Sequence, residues 1–430
     1  MRFVKQLAVG SITALLLAAC GGGGGPLGTQ SSSPGRGELM QNPPPRIIAL
    51  SAAEFKGSLQ ANTSGQTLLQ LATDPICGVD VNYIKYGTVG GKGEATDASA
   101  ALMVPTGTDA RCTGPRPIVL YAHGTTIEKR YNLADWIDRT NPAFSESTLL
   151  AALYAAQGYI VVAPNYAGYD SSSLDYHPYL NATQQSKDMM DALKAAKSAL
   201  SGLLTPTTAS TKLFVTGYSQ GGHVAMATHK ALEAANITVT ASAPMSGPYA
   251  LAAQADATFL GRVNAGSTIF TPMIITSAQK TFGNIYTTPS DLYESAYASG
   301  IESLLPGSYN WTTIFSSNKL PQTALFSSTA PPGLSAITPP TGMGALDALF
   351  ALGFGSSNLI KNSARADYVT DAMAHPDGVI AGTSLSPATS PSNPLRIAAK
   401  VNDLRGWTPA SPVLLCGGNA DPTVFYALHT

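Results

Sequence analysis

The sequence predicts an α/β architecture: an open, mostly parallel sheet with helices on both faces, broken late by a large insertion. Three observations carry this. Short apolar runs such as 117–122 and 159–163 alternate with amphipathic helical stretches such as 184–200, as in sheets buried on both faces. The run Leu213-Phe214-Val215 leads directly into Gly217-Tyr218-Ser219-Gln220-Gly221 and then into helix-forming residues, a strand–turn–helix signature. From about 249 to 394 the alternation stops, and helical patches are separated by Gly-, Pro- and Ser-rich loops, as expected of a cap inserted between two sheet strands.

Taken in order, residues 1–19 read as a leader. Arg2 and Lys5 precede an apolar stretch at 7–17 that is too short to span a bilayer. Leu17-Ala18-Ala19-Cys20 resembles the lipobox of bacterial lipoproteins. That resemblance implies cleavage before Cys20, lipidation of its thiol and a membrane anchor, with Gly21 after the cysteine favouring the outer membrane of the cell envelope; the alternative is an ordinary secretory signal with an incidental cysteine, and a secreted protein. Residues 20–45, rich in Gly, Ser and Pro, read as a flexible tether.

The folded part then begins near Arg46 and leaves about 385 residues, enough for one large domain with an insertion. Its first part spans 46–248. Within it, 81–89 and 98–104 read as an antiparallel pair joined through Gly90-Gly91-Lys92-Gly93. A central strand at 117–122, a helix at 147–157 and a strand at 159–163 follow. The helix at 184–200 carries Met189, Leu193, Ala196 and Leu200 on one face. Segment 212–216 leads into Ser219, and 237–243 is the next strand. After the cap at 249–394 the core resumes over 395–430, with a helix at 395–404 and a last buried strand at 412–416.

Composition excludes several function classes. With 25 basic against 26 acidic residues and no basic stripe, nucleic acid is not an expected partner, and a neutral or apolar small molecule is. No Cys/His cluster has metal-ligand spacing, so neither metal nor organic cofactor is expected. In an oxidising compartment Cys77 and Cys112, which flank the antiparallel pair, are expected to form a disulfide, leaving Cys416 over.

The chemistry centres on Ser219. A strand turning sharply into a helix needs minimal side chains two positions either side of the central residue, which Gly217 and Gly221 provide. A neutral hydroxyl needs a base, a carboxylate to orient that base, and donors for the oxyanion. The turn Tyr121-Ala122-His123-Gly124-Thr125-Thr126 after the central strand offers the Thr125 N–H, and Gln220 offers the second donor. His123 is expected to shape that turn. Asp421, on the Gly-rich loop after 412–416, is the candidate acid.

The base is harder to place. Of the six histidines, only His429 follows Asp421, and by eight residues, where a helix and a strand typically intervene over roughly 20. His177 is expected to pack a loop, His223 and His229 to take core or surface places after the nucleophile, and His375 to lie in the cap. The expectation is therefore that the sheet's last strand is missing from this chain, with the base and a partner for Cys416 beyond residue 430, and His429 the candidate within it.

With these residues in hand, the chain resembles secreted α/β-hydrolase lipases and esterases, in particular bacterial relatives of the secretory lipase family. The motifs are Tyr121-Ala122-His123-Gly124-Thr125, Val162-Ala163-Pro164-Asn165-Tyr166-Ala167-Gly168, His177-Pro178-Tyr179-Leu180, Gly217-Tyr218-Ser219-Gln220-Gly221-Gly222 and Gly418-Asn419-Ala420-Asp421. The resemblance implies the α/β-hydrolase fold and hydrolysis of carboxylic esters through an acyl-enzyme on Ser219, with Asp421. Two other readings stand beside it: a prolyl-oligopeptidase-like secreted peptidase, and a catalytically incomplete hydrolase-fold binding protein.

Overall fold

The computed structural model describes residues 34–334 and 344–429. The leader, Cys20 and the first part of the tether lie outside the described residues.

Seven strands form one sheet: β1 (Arg46–Leu50), β2 (Gly78–Val89), β3 (Ala95–Thr106), β4 (Gly114–Ala122), β5 (Ile160–Pro164), β6 (Thr207–Tyr218) and β7 (Ala241–Met245), in the order β1-β2-β3-β5-β4-β6-β7. The first three are antiparallel to their neighbours. From β5 through β4 and β6 to β7 every pairing is parallel. Every residue of β5 is buried, and so are the last five of β4, because helices cover both faces of a parallel sheet and leave no polar side. After helices α1 (Ala52–Gln60), α2 (Thr63–Ala72) and α3 (Phe144–Leu153), the helix α4 (Ala182–Gly202) starts where the Asn181 side chain accepts from the Gln184 N–H. It buries Met189, Leu193, Ala196 and Leu200 as its periodicity predicts. The helix that follows Ser219 is α5 (Gln220–Ala234).

The Cys77–Cys112 disulfide is present and staples the entry to β2 against the exit from β3; Cys416 is free and exposed.

Two expectations need correction. Residues 34–45, read as part of a flexible tether, are docked. Gly37 N–H donates to Gly87 O at 2.8 Å, Met40 N–H to Lys85 O at 2.8 Å, and Arg36 pairs with Asp191 at 3.0 Å. The free carbonyls of β2 supply partners that composition does not reveal. Segment 412–416, expected as a buried strand, touches the sheet only through the parallel bridges Ser242↔Val413 and Met245↔Cys416. Leu414 and Leu415 are exposed. The segment holds one side of β7, and nothing among the described residues covers its outer face.

Between β7 and this segment the described residues form helices joined by loops, with one short parallel pair, Phe326–Ser327 with Phe354–Gly355. The helices Leu251–Phe259, Ser267–Phe282, Asn362–Ala374 and Pro394–Val401 share a second apolar core around Phe259, Phe326, Tyr368 and Val369. A buried ion-pair cluster locks three of them. Arg396 bonds Asp256 at 2.7 Å and Asp371 at 2.7 Å, and Tyr368 donates to Asp256 at 2.9 Å. No helix among the described residues is long and apolar enough to cross a membrane.

Candidate active site

Ser219 stands between the last residue of β6 and the first of α5, with φ 59° and ψ −122°. Such left-handed backbone on a non-glycine residue costs on the order of 1–3 kcal/mol and persists only where its surroundings dictate it. They do so here. A Cβ on Gly217 would meet Gly221 O at 2.3 Å and Ala122 O at 2.5 Å, and one on Gly221 would meet Ala122 O at 2.0 Å. The Ser219 N–H is tied to Met245 O at 2.9 Å. β4, β6 and β7 therefore clamp the turn at their carboxyl ends and leave the serine half-buried at the sheet edge.

The loop after β4 lies alongside. A Cβ on Gly124 would sit 3.8 Å from Ser219 Cβ, so the next peptide, with the Thr125 N–H, borders the serine. That N–H has no acceptor among the described residues. The Gln220 N–H, first in its helix, has no intrahelical acceptor. Tyrosines the sequence reading passed over hold the loop. Tyr166 donates to His123 O at 3.0 Å, Tyr169 to Thr126 O at 2.7 Å, and the Tyr179 hydroxyl bonds Thr125 Oγ1 at 2.7 Å. All three lie in or beside the motifs 162–168 and 177–180, which was the available signal.

His123 shapes the turn. Its ring nitrogens face Gly124 O at 2.7 Å and Asn165 O at 3.2 Å, the ring stacks on Tyr166, and burial depresses its pKa. His177 is fully enclosed. His229 bonds Ser242 and Glu233. His375 is exposed in the helical insertion and gives its carbonyl to Arg396. His223 Nε2 lies 2.9 Å from Asn402 O, its Nδ1 is buried without a partner, and burial pushes its pKa down to about 4.

Asp421 follows the segment paired with Met245, whose own carbonyl holds Ser219; its loop is therefore at the Ser219 end of the sheet. Its Oδ1 accepts from the Thr423 and Val424 N–H groups at 2.8 and 3.0 Å. His429 is not joined to it. One ring nitrogen accepts from the Ala250 N–H at 3.0 Å and the other meets Gln254 Oε1 at 3.0 Å, with burial pushing the pKa down to about 3. Among the described residues no imidazole bonds Ser219 Oγ or Asp421, because the short turn Tyr426–His429 directs the ring onto the start of Leu251–Phe259. No group of three His, Cys, Asp or Glu residues among them could hold a metal ion.

A seven-stranded, mostly parallel sheet with a strained serine at a glycine-flanked strand–helix corner is the α/β-hydrolase fold, and the chain is a serine hydrolase of that fold. Comparison with known proteins agrees. The profile of the prolyl oligopeptidase family matches residues 144–254, the stretch that contains Ser219. The crystal structure of the rice cell wall degrading esterase LipA from Xanthomonas oryzae is similar, with 28% identity, 91% of this chain and 85% of that one covered, and a TM-score of 0.69. A hydrolase candidate from Legionella pneumophila shares the fold at 22% identity and TM-score 0.64, covering 91% of this chain and 86% of its own. No curated protein matches the sequence.

Proposed function

We propose that this protein hydrolyses carboxylic esters. Ser219 Oγ attacks the ester carbonyl, the Gln220 and Thr125 N–H groups receive the oxyanion, and the alcohol leaves with a proton to give an acyl-serine that water then cleaves. Asp421 is the proposed acid. His429 is not assigned as the base, since Ala250 and Gln254 hold both its nitrogens. The observation that carries the reading is the juxtaposition of a strained serine with two unsatisfied N–H donors. The esterase likeness over 91% of the chain supports esters as the substrate class. The proposed setting is the cell envelope, with the lipid anchor at Cys20.

A peptidase reading rests on the prolyl oligopeptidase match at 144–254. One experiment separates the two: wild type and Ser219→Ala are assayed on p-nitrophenyl esters of graded chain length and on prolyl p-nitroanilides. Serine-dependent turnover of the esters alone is expected. Equal ester hydrolysis by both proteins refutes the assignment, and preference for the anilides turns it to the peptidase.

A further inference from the structure

We propose that His177 is a positioning residue for the oxyanion site, acting through the side chain of Gln220 on the backbone N–H that receives the developing charge. The proposal rests on the serine-hydrolase reading and deepens it. Two sets of buried hydrogen bonds meet at the backbone of Ala167 and lead to Gln220, the residue after Ser219. The Tyr86 hydroxyl, on β2, donates to Asp188 Oδ1 at 2.8 Å. Asp188 Oδ2, on α4, accepts from the Ala167 N–H at 2.7 Å. The Ala167 carbonyl faces His177 Nδ1 at 2.9 Å, and His177 Nε2 faces Gln220 Nε2 at 2.7 Å. Tyr86, Asp188, Ala167, His177 and Gln220 are all buried.

Chemistry fixes the direction of each bond. A carbonyl only accepts, so Nδ1 carries the His177 proton. Nε2 then presents a lone pair, and Gln220 must offer it the NH₂ end of its amide. The ring stays neutral, because burial pushes its pKa down to about 3; an imidazolium there would set two donors against each other. The ring is also stacked on Tyr166, with interplanar angle 15°, and packed on Tyr169. These are the tyrosines that hold the Thr125 loop, so one imidazole touches the supports of both proposed oxyanion donors. On the far side of Gln220 lies the strained Ser219. A side chain anchored on one side and a fixed backbone on the other leave the Ser219–Gln220 peptide a single orientation, as an oxyanion donor requires. Packing alone would ask for an apolar residue of similar length at 220, not an amide aimed at a buried lone pair.

The test is a double-mutant cycle on the full chain with His177→Phe, Gln220→Met and the pair. Phe keeps the stacked ring and Met the chain length, while each removes the bond. Expected is a fall of about 10- to 100-fold in fluorophosphonate labelling of Ser219 and in kcat for p-nitrophenyl butyrate, with KM within about threefold. The double variant should lose no more than the worse single, because both break one link. Backbone amide exchange over 219–222 should speed up in both singles while that over α4 does not, a readout independent of turnover. Additive losses, or exchange and labelling equal to wild type, overturn the proposal. A wild type that takes no label defeats the ester-hydrolase reading instead, and the exchange measurement still decides the anchoring.

Discussion

Replacing Gly221 by Ala tests the geometry of the nucleophile turn directly. The added Cβ would lie 2.0 Å from Ala122 O and 2.7 Å from His123 O. Both are backbone atoms at the end of β4, a central strand paired on each side, so neither can yield. Ordinary contact begins near 3.4 Å; α5 must therefore back away from β4 by roughly 1 Å or more. Overpacking of this kind costs about 1–3 kcal/mol of stability. The same displacement carries the Gln220 N–H out of hydrogen-bond reach of an oxyanion held beside Thr125, and one lost donor costs about 3 kcal/mol in the transition state, or roughly 100-fold in kcat. Gly57→Ala is the matched control. It lies exposed within the helix Ala52–Gln60 with nothing within 4 Å of its new Cβ, so the same methyl should stabilise by about 0.5–1 kcal/mol. Urea unfolding and steady-state hydrolysis of p-nitrophenyl butyrate read both effects. A Gly221→Ala protein with kcat within twofold of wild type would refute the clamp.

Two further outcomes follow from buried charge. Arg396→Ala leaves Asp256 and Asp371 without their shared cation, and removing one partner of a buried pair costs about 3–5 kcal/mol; urea unfolding should show that loss, and a change below 1 kcal/mol would show the cluster to be solvated. His177, His223 and His429 are held by burial at about 3, 4 and 3, below the ordinary 6.5. The unfolded chain therefore binds protons that the folded one refuses. Stability is complete above pH 6.5 and falls on acidification toward 3–4, by up to about 1.4 kcal/mol per pH unit for each histidine. Thermal unfolding at pH 7 and pH 5 checks this, and an unchanged midpoint would contradict it.

What the sequence revealed was periodic or steric. The buried runs at β4 and β5, the face of α4 and the glycines around Ser219 follow from side-chain spacing and from room for a turn, both local properties. Cys77 and Cys112 could be paired because the two strands between them form a local hairpin. Long-range polar pairing was not readable in the same way. Residues 34–45 look like a linker by composition, and they are held by the unpaired edge of β2 together with Asp191 and Lys194 of α4. The exposure of Leu414 depends on what lies beyond β7, which no local pattern encodes. His177 illustrates the limit best. Its motif marks a packed loop, but its partners Ala167 and Gln220 are 10 and 43 residues away in sequence.

The loop bearing Thr125 is fixed from two sides, and this explains why its N–H stays free. From below, Tyr166 and Tyr169 take the carbonyls of His123 and Thr126. From the helical insertion, the Gly307 N–H donates to Ile127 O at 2.8 Å and the Lys129 N–H to Gly307 O at 2.8 Å. The carbonyls on both flanks of Thr125 thus have donors, so its own peptide cannot relax by pairing with a neighbour. The surrounding bonds are made once, during folding, so the proposed donor needs no reorganisation when an oxyanion forms. The insertion is tied to the proposed Thr125 donor by this route, because Gly307 belongs to it while Ile127 lies in the loop after β4. Any movement of the insertion that breaks the two Gly307 bonds should loosen Thr125 before it alters Ser219, which is held by β4, β6 and β7 and by the first turn of its own helix.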